Sequence, residues 1–250
     1  MFRPRVIPVL LLKDQALVKS IEFKSHKYIG DPLNATRIFN ERKADELIIL
    51  DIEASKNGRT IPLDLVKGIG EEANMPFAVG GGIRSLDDIE AIIKAGAEKV
   101  VINTHAGRHP EFIKTASQAF GSTTIVVCID VKTKFLRGQF AWILNGTRAT
   151  DYEPDAFARL MEDNGVGELI VQCIDRDGTM SGYDIKLIRS ISTAVGVPVV
   201  ALGGAGSFDD LVKAHRDGLA SALAAGSLFV YQSKRRGVLI NYPDRKELQF

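Results

Sequence analysis

The sequence predicts a single (β/α)8 TIM barrel, built from two similar (βα)4 halves. Three observations predict it: a length of 250 residues, usual for one such barrel, an alternation of β-branched runs with helical patterns, and an internal repeat. We expect one domain over residues 1–250, with half-barrels at about 1–120 and 121–250.

Each predicted strand is a short apolar run followed by a helical pattern, which is typical of parallel βα units. Eight such runs favour a closed barrel over an open sheet. They are Val6–Leu12, Glu46–Ile52, Pro76–Val79, Lys99–Ile102, Thr124–Asp130, Glu168–Ile174, Val197–Ala201 and Ala220–Ala224. After the fifth strand, the segment Lys134–Thr147 is predicted to add a small hairpin.

The internal repeat keeps a constant offset of 122 residues through a strand and a loop. ELIILDI from Glu46 aligns with ELIVQCI from Glu168, and GGIRSLDD from Gly81 aligns with GGAGSFDD from Gly203. A fixed offset through successive elements indicates a doubled four-stranded unit.

The repeat breaks at two acidic positions. VLLLK aligns with CIDVK at an offset of 119, so that Asp130 corresponds to Leu11. At the offset of 122, Asp51 corresponds to Cys173. Asp130 ends an apolar run and should project at the face where barrels hold their active sites. A partly desolvated carboxylate there suits general acid/base chemistry, and the alternative is a structural acceptor for a loop N–H.

Composition excludes several function classes. A net charge of +1 favours neither nucleic acid nor an anionic membrane as a partner, and the apolar runs are too short to span a bilayer. Cys128 and Cys173 lie inside apolar runs, which favours buried reduced thiols and a cytoplasmic protein. No metal-ligand spacing occurs, and we expect neither a metal nor a cofactor.

Loops rich in glycine follow several predicted strands and lead into helix starts, where backbone N–H groups can bind an anion. Their occurrence in both halves predicts a ligand with two phosphates, and the alternative is that the glycines only allow tight turns. The predicted phosphate-binding residues are Gly81, Gly82, Asn103, Thr104, Asp177, Gly178, Thr179, Gly203, Gly204, Ala225, Gly226 and Ser227. For the three around Gly178, an Asx-type turn with exposed charges is the alternative.

Two lysines lie in or near the first long predicted loop. Lys13 or Lys19 could meet a phosphate there, although a solvated surface lysine is the default expectation for each. The four histidines share no spacing, and the sequence assigns them no chemistry.

Several motifs carry a resemblance over nearly the whole chain: ELIILDIEAS, FAVGGGIRSLDD, KVVINTHA, IDVK, IDRDGTMSGYD, VVALGGAG and ALAAG. The sequence that contains them resembles the cyclase subunit of imidazole glycerol phosphate synthase, a lyase of histidine biosynthesis. The resemblance implies a glutaminase partner that docks at the barrel bottom and sends ammonia through the core. It places an ammonia gate of four charges at Arg5, Glu46, Lys99 and Glu168, with Glu98 as a candidate docking acid beside it.

The same resemblance exposes a departure at the reaction centre. The family closes its ring with two aspartates; Asp130 matches one of them, while Leu11 occupies the position of the other and cannot transfer a proton. Loss of an acid/base group costs about 10²–10⁴ in rate. Three further positions near the substrate have also changed, to Val101, Gln172 and Leu202.

The resemblance therefore implies a divergent branch that supplies ammonia for acetamidino groups on bacterial surface sugars, such as those of lipopolysaccharide. In this hypothesis the barrel works with a glutaminase, a separate amidotransferase and a phosphorylated small molecule. The alternatives are an authentic cyclase that uses Asp130 with a substitute for Leu11, a sugar-phosphate isomerase, and a non-enzymatic scaffold. Whether the chain is itself a catalyst stays open.

Overall fold

A computed structural model describes residues 3–232, 237–243 and 250. The strands in chain order are β1 (Arg5–Lys13), β2 (Ala16–Ile21), β3 (Lys24–Gly30), β4 (Leu47–Asp51), β5 (Phe77–Gly80), β6 (Lys99–Ile102), β7 (Ile125–Lys134), β8 (Gly138–Ile143), β9 (Arg148–Ala149), β10 (Glu168–Cys173), β11 (Val199–Leu202), β12 (Ala222–Ala225), β13 (Tyr231–Gln232) and β14 (Gly237–Val238). The α-helices are α1 (Pro32–Glu41), α2 (Leu63–Glu72), α3 (Leu86–Lys94), α4 (Thr104–Arg108), α5 (Glu111–Phe120), α6 (Pro154–Asp163), α7 (Ile185–Ala194), α8 (Phe208–Arg216) and α9 (Ser227–Val230).

Within the described residues, eight parallel strands close into a barrel. β1 pairs with β12 on one side and with β4 on the other, and the remaining neighbours follow in the order β5, β6, β7, β10 and β11. The predicted (β/α)8 barrel is therefore confirmed. Strand ends differ by a few residues: β7 continues to Lys134, past the predicted end at Asp130, because its second half pairs with β8.

Two hairpins extend the barrel beyond its eight strands. The one predicted over Lys134–Thr147 is confirmed, with β8 antiparallel to β7 and β9 antiparallel to β8. The other, formed by β2 and β3 after β1, replaces the loop that was expected around Lys19. Lys19 is one of four consecutive buried residues of β2, from Leu17 to Ser20, so the expectation of a solvated surface lysine is wrong for it.

The apolar core has two layers. One lies between the strands and the surrounding helices, and the other fills the barrel interior, as expected for a closed (β/α)8 sheet. The interior layer comprises Ile7, Val9, Ile48, Ala78, Val101, Val126, Cys128, Ile170, Val200, Leu202, Ala222 and Ala224, with Leu11 and Leu50 packed against it.

Helices α3 and α8 begin in the same way. Ser85 and Ser207 each cap their helix, and the aspartate three residues later, Asp88 or Asp210, accepts from the serine's backbone N–H. This capping box satisfies helix N–H groups that have no partner within the helix. None of the helices in the described ranges has the length and apolar character needed to cross a bilayer.

The carboxyl-terminal segment returns to the first strand through Tyr242. Its hydroxyl donates to the Val6 carbonyl at 2.9 Å and accepts from the Asp45 backbone N–H at 3.2 Å. Its ring packs against Phe39 and Phe229, with centroids 6.5 and 5.5 Å away. The start of β1 is thereby tied to a residue 236 positions later in the sequence.

Candidate functional site: a charged ring and a pocket at opposite barrel ends

Four charged side chains meet at the amino-terminal ends of the barrel strands. The Arg5 guanidinium contacts the carboxylates of both Glu46 and Glu168. On the other side, Lys99 Nζ lies 3.0 Å from each of the same carboxylates. The structure thus brings the four predicted gate residues into a closed ring of alternating charge.

This ring is balanced, with two cations and two anions. Glu46 and Glu168 are buried, and a buried carboxylate is tolerated only when it is paired, as each is here by two cations. The apolar barrel interior lies directly above it. Glu98, the candidate docking acid, accepts from the Phe77 backbone N–H at 2.8 Å and so has a structural role at the same end.

A cavity of about 660 Å³ opens at the opposite end, where the strands finish. Barrels of this kind place their active sites at this end. Among the predicted residues, those that line it are Leu11, Lys13, Lys19, Asp51, Asn103, Thr104, Asp130, Asp177, Gly226 and Ser227, together with the altered positions Gln172 and Leu202.

A second cavity, of about 80 Å³, lies beside the first and shares Thr104 with it. Gly82 lines this smaller space, and Arg84 and Arg108 give it a cationic character that suits an anion. The remaining predicted phosphate residues line neither of these cavities: Gly81, Gly178, Thr179, Gly203, Gly204 and Ala225.

Asp130 lies in the large pocket and is 7% exposed. Burial raises the pKa of its carboxyl, a hydrogen bond from the Cys128 thiol opposes the shift and the charge of Asp177 adds to it, so that the pKa is about 7. The Cys128 Sγ lies 3.5 Å from Asp130 Oδ1. A carboxyl with this pKa exchanges protons near neutral pH, which is what a general acid or base requires.

Asp177 lies at the centre of a polar cluster in the same pocket wall. Its carboxylate accepts from Ser20 Oγ at 2.9 Å and from Gln172 Nε2 at 3.1 Å. Burial raises its pKa, although these two hydrogen bonds and the charge of Lys19 act in the other direction. Sequence reasoning missed Ser20, because nothing along the chain signals a contact across 157 residues.

Lys19 lies beside this cluster, on β2. Its Nζ donates to the Val9 carbonyl at 2.6 Å, and burial lowers its pKa to about 8 although the nearby Asp177 charge raises it. A Cβ added at Gly226 would lie 2.4 Å from this Nζ, so the lysine head group and the predicted phosphate loop are direct neighbours.

The side chains of Asn103 and Thr104 connect the barrel to the second hairpin. Asn103 Nδ2 donates to the carbonyls of Cys128 and Trp142 at 3.0 and 3.3 Å, and Thr104 Oγ1 accepts from the Leu144 N–H at 3.1 Å. The polar side-chain atoms of both residues are therefore engaged within the protein.

Gly82 and Gly204 serve close packing of the backbone. Both have positive φ, of 73° and 111°. A Cβ would approach the Arg59 carbonyl to 1.8 Å at Gly82 and the Gly182 carbonyl to 2.3 Å at Gly204. At these two positions the tight-turn requirement accounts for the glycine.

The predicted turn around Gly178 also uses its own donors. Thr179 donates its hydroxyl to the Arg176 carbonyl at 2.8 Å and its backbone N–H to the same carbonyl at 3.1 Å. Gly178 has a φ of 67°, and a Cβ there would lie 1.9 Å from the Ser20 carbonyl. The turn thus packs against the first hairpin, and Asp177 is its only member that lines the large pocket.

Asp51 has a structural role in this arrangement. Its Oδ1 accepts from the backbone N–H groups of Glu53 and Ala54 at 3.0 and 3.1 Å, and its Oδ2 pairs with Arg59 Nη1 at 2.5 Å. Lys13 lies 3.6 Å from the Glu53 carboxylate. Both residues organise the loop after β4 at the rim of the pocket.

The two hairpins contribute further residues to the pocket. Phe23 and His26 come from the first hairpin, and Asn145 comes from the second. The ring of Phe23 lies against the turn at Gly146, 3.0 Å from where a Cβ would stand. Burial lowers the pKa of His26, and the Lys13 charge acts in the same direction. No pattern in the sequence indicated this position of His26, because it depends on the hairpin.

No group of three or more His, Cys, Asp or Glu side chains in the described part of the chain is arranged to hold a metal ion.

Comparisons with known proteins agree with this architecture. The family model described as "Histidine biosynthesis protein" matches residues 5–234. The chain is 46% identical over 248 residues to the "Putative imidazole glycerol phosphate synthase subunit hisF2" of Pseudomonas aeruginosa, with 99% of each chain covered. It is 44% identical over 245 residues to a similarly named HisF of Leptospira borgpetersenii, covering 98% of this chain and 96% of the relative. A third relative, the "Putative imidazole glycerol phosphate synthase subunit hisF3" of Vibrio vulnificus, is 42% identical over 248 residues, with 99% and 95% covered.

Proposed function

This chain belongs to the histidine biosynthesis protein family, and on that premise we propose that it is the barrel subunit of a glutamine amidotransferase assembly. It receives ammonia from a glutaminase partner at the charged ring and passes it through the barrel to the pocket at the opposite end. The relatives' names describe each of them as a subunit of a synthase, which supports the existence of a partner chain.

One observation carries the proposal: the closed ring of Arg5, Glu46, Lys99 and Glu168 lies at one end of the barrel and the pocket at the other. Charges inside a barrel end are costly unless they pair, so a strand-start position needs a reason to hold one. Ion pairs that can exchange partners provide a gate for a small polar molecule. The apolar interior above the ring keeps that molecule from exchanging with bulk water.

We further propose that the ammonia leaves this subunit for acetamidino-sugar biosynthesis of the surface-polysaccharide type, through a separate amidotransferase. Support comes from the asymmetry of the pocket. Asp130 is present with a pKa near 7, while its repeat counterpart Leu11 lines the same pocket with an apolar side chain. Ring closure with a single acid lacks the second proton transfer that the family's reaction requires.

The second candidate is an authentic imidazole glycerol phosphate synthase cyclase of histidine biosynthesis. The observation that favours it is the pocket itself, whose volume of about 660 Å³ lies in the range of small-molecule sites. In this candidate Asp130 acts as the acid/base, and a neighbouring group such as Lys19 replaces the missing aspartate.

The discriminating experiment supplies the purified protein with ammonium chloride and the ribulosyl aminoimidazole carboxamide ribotide substrate, and measures formation of imidazole glycerol phosphate. We expect turnover about 10²–10⁴ below that of an ordinary cyclase. Turnover equal to that of an ordinary cyclase would overturn the delivery proposal in favour of the second candidate.

A companion variant restores the repeat. Leu11→Asp places a carboxylate at the position equivalent to Asp130, and a gain of cyclase activity in this variant would show that the rest of the site remains competent. Leu11→Asn is the matched control, because it has the same shape and cannot accept the proton. The gain should appear in the aspartate variant alone.

A test of delivery uses the ring. With the glutaminase and amidotransferase partners present, Lys99→Met removes one gate charge, whereas Lys94→Met removes a surface charge paired with Glu90. We expect glutamine-dependent product to fall in the first variant while ammonia-dependent product is retained. Equal glutamine dependence in both variants would contradict a conducting role for the ring.

A further inference from the structure

The pocket wall contributed by the second half carries a buried acceptor without a partner. Gln172 is 4% exposed, and its Nε2 donates to Asp177 Oδ1 at 3.1 Å. Its Oε1 is buried and has no hydrogen-bond partner. The orientation of this amide follows from chemistry, because a carboxylate only accepts and the NH2 group must face it. The carbonyl oxygen therefore points away from Asp177.

Asp130 is the strand neighbour of this glutamine. The two residues are paired in the register of β7 and β10, and adjacent strands lie about 4.8 Å apart. Both side chains face the barrel interior, because Cys128 and Ile170, two residues earlier on each strand, belong to the interior core. Two acceptors, one neutral and one ionisable, thus stand side by side in the wall of the pocket.

The surroundings restrict what these acceptors can bind. Leu11, Leu50 and Leu202 line the same pocket and offer no polar side-chain atom to a ligand. The buried ammonium group of Lys19, in the same pocket, is directed at the Val9 carbonyl. The ligand that fits is small and offers several N–H donors.

We propose that Gln172 and Asp130 form a binding site for ammonia, taken up as ammonium or as the neutral molecule. Gln172 Oε1 accepts one N–H and the Asp130 carboxyl group interacts with the same nitrogen. The inference rests on the proposed delivery function and deepens it by locating where ammonia halts inside the pocket. Gln172 is then a binding residue, held in place by Asp177.

The site is tested by binding, without any partner protein. Side-chain amide signals of ¹⁵N-labelled protein and carboxyl signals of ¹³C-labelled aspartate are followed by NMR during titration with ammonium chloride. Potassium chloride and sodium chloride at the same ionic strength serve as controls, because potassium has a similar size and no N–H donor. We expect ammonium to shift the Gln172 amide and to lower the apparent pKa of Asp130, with smaller effects from the two metal ions.

Variants connect those shifts to the acceptor. Gln172→Met removes the carbonyl at a similar volume and should weaken ammonium binding about tenfold, the effect of one lost hydrogen bond. Gln139→Met is the matched control, because Gln139 donates to Asp184 at 3.0 Å and does not line the pocket. If Gln172→Met fails to fold, Gln172→Asn can replace it, because it withdraws the carbonyl by one methylene. It should also weaken ammonium binding.

Two results would overturn the site: equal shifts with potassium and ammonium, or unchanged ammonium binding in both Gln172 variants. These failures are distinct from a failure of the proposed function. If glutamine-dependent delivery persists while ammonium binding at Gln172 is absent, the conduit stands without this halting point. If ammonium binds here and delivery is absent, the binding site is supported and the delivery function is not.

Discussion

The two halves of the barrel agree in their scaffold and differ in their chemistry. Gly82 and Gly204 occupy equivalent turns with positive φ, and Ser85 and Ser207 cap equivalent helices with the same box. Each half also carries a hairpin directly after its first strand. The glycines and capping serines that the βα units need for their turns and helix starts are therefore present in both halves.

The differences lie at the strand ends that face the pocket. Leu11 in the first half corresponds to Asp130 in the second, and Asp51, which holds a loop, corresponds to the buried thiol of Cys173. The polar cluster of Ser20, Asp177 and Gln172 lies on the second-half wall, with Ser20 reaching it from the first hairpin. A duplicated scaffold can hold a site that belongs mainly to one half.

The largest expected effect tests the shared turns. Gly82→Ala and Gly204→Ala should each cost about 3–5 kcal/mol in the free energy of unfolding, since a Cβ both strains the positive φ and meets a carbonyl. Urea denaturation measures this. Gly121→Ala is the control, because Gly121 has a φ of 84° and open space around it. If only one of the two variants loses more unfolding free energy than Gly121→Ala, the two turns are not equivalent.

A second prediction concerns the contribution of Asp130 to the pH dependence of folding stability. Its folded pKa of about 7 exceeds that of an unfolded aspartate, so the folded state binds the extra proton and stability falls as the pH rises from about 4 to 7. We compare the free energy of unfolding of Asp130→Asn with that of the wild type at each pH. Between pH 4 and pH 8 this difference should shift by about 2–4 kcal/mol in favour of the variant. Denaturation at both pH values measures the difference, and Glu90→Gln corrects for the loss of one carboxylate. A pH-independent difference would show that Asp130 is no more desolvated than a surface acid.

A third prediction separates Asp51 from its counterpart. Asp51→Asn keeps the acceptor for the loop N–H groups and weakens the pair with the half-exposed Arg59, so we expect a loss of about 1–2 kcal/mol. Arg59→Met should cost a similar amount. In a double-mutant cycle the two changes should couple by about 1 kcal/mol, and strict additivity would mean that the pair contributes nothing to stability.

The smallest effect tests the repeated caps. Ser85→Ala and Ser207→Ala should each destabilise the fold by about 1 kcal/mol, because each leaves one helix N–H without its acceptor. The double variant should equal the sum within about 0.5 kcal/mol, since the two caps share no contact. Thermal or urea unfolding of the four proteins is sufficient. Unequal single losses would reveal that one helix is supported by other contacts.

Much of the fold could be predicted because strand-length β-branched runs and the repeat both point to parallel βα units. The first hairpin could not. Its turns place Asp14, Gln15, Glu22 and Phe23 at positive φ, and these are not the glycine or asparagine pairs that announce a hairpin. The burial of Lys19 follows from that hairpin and was missed with it.

The site was predictable only in part, for a similar reason. Strand ends reveal which residues face the pocket, and so Asp130 and Asp177 were found from the chain itself. The partners of Asp177 depend on contacts between distant segments, which no local pattern specifies. The four-charge ring was expected from resemblance alone, because single charges at strand starts give no sign of meeting one another.

The hydrogen bonds of Tyr242 hold it against the start of the first strand. Its hydroxyl meets the Val6 carbonyl, so Tyr242 lies beside the first strand at the same rim as the charged ring. A circular permutant cut at the exposed Gly121, with a linker between residues 250 and 1, would exchange the order of the halves while keeping both sequences of strands intact.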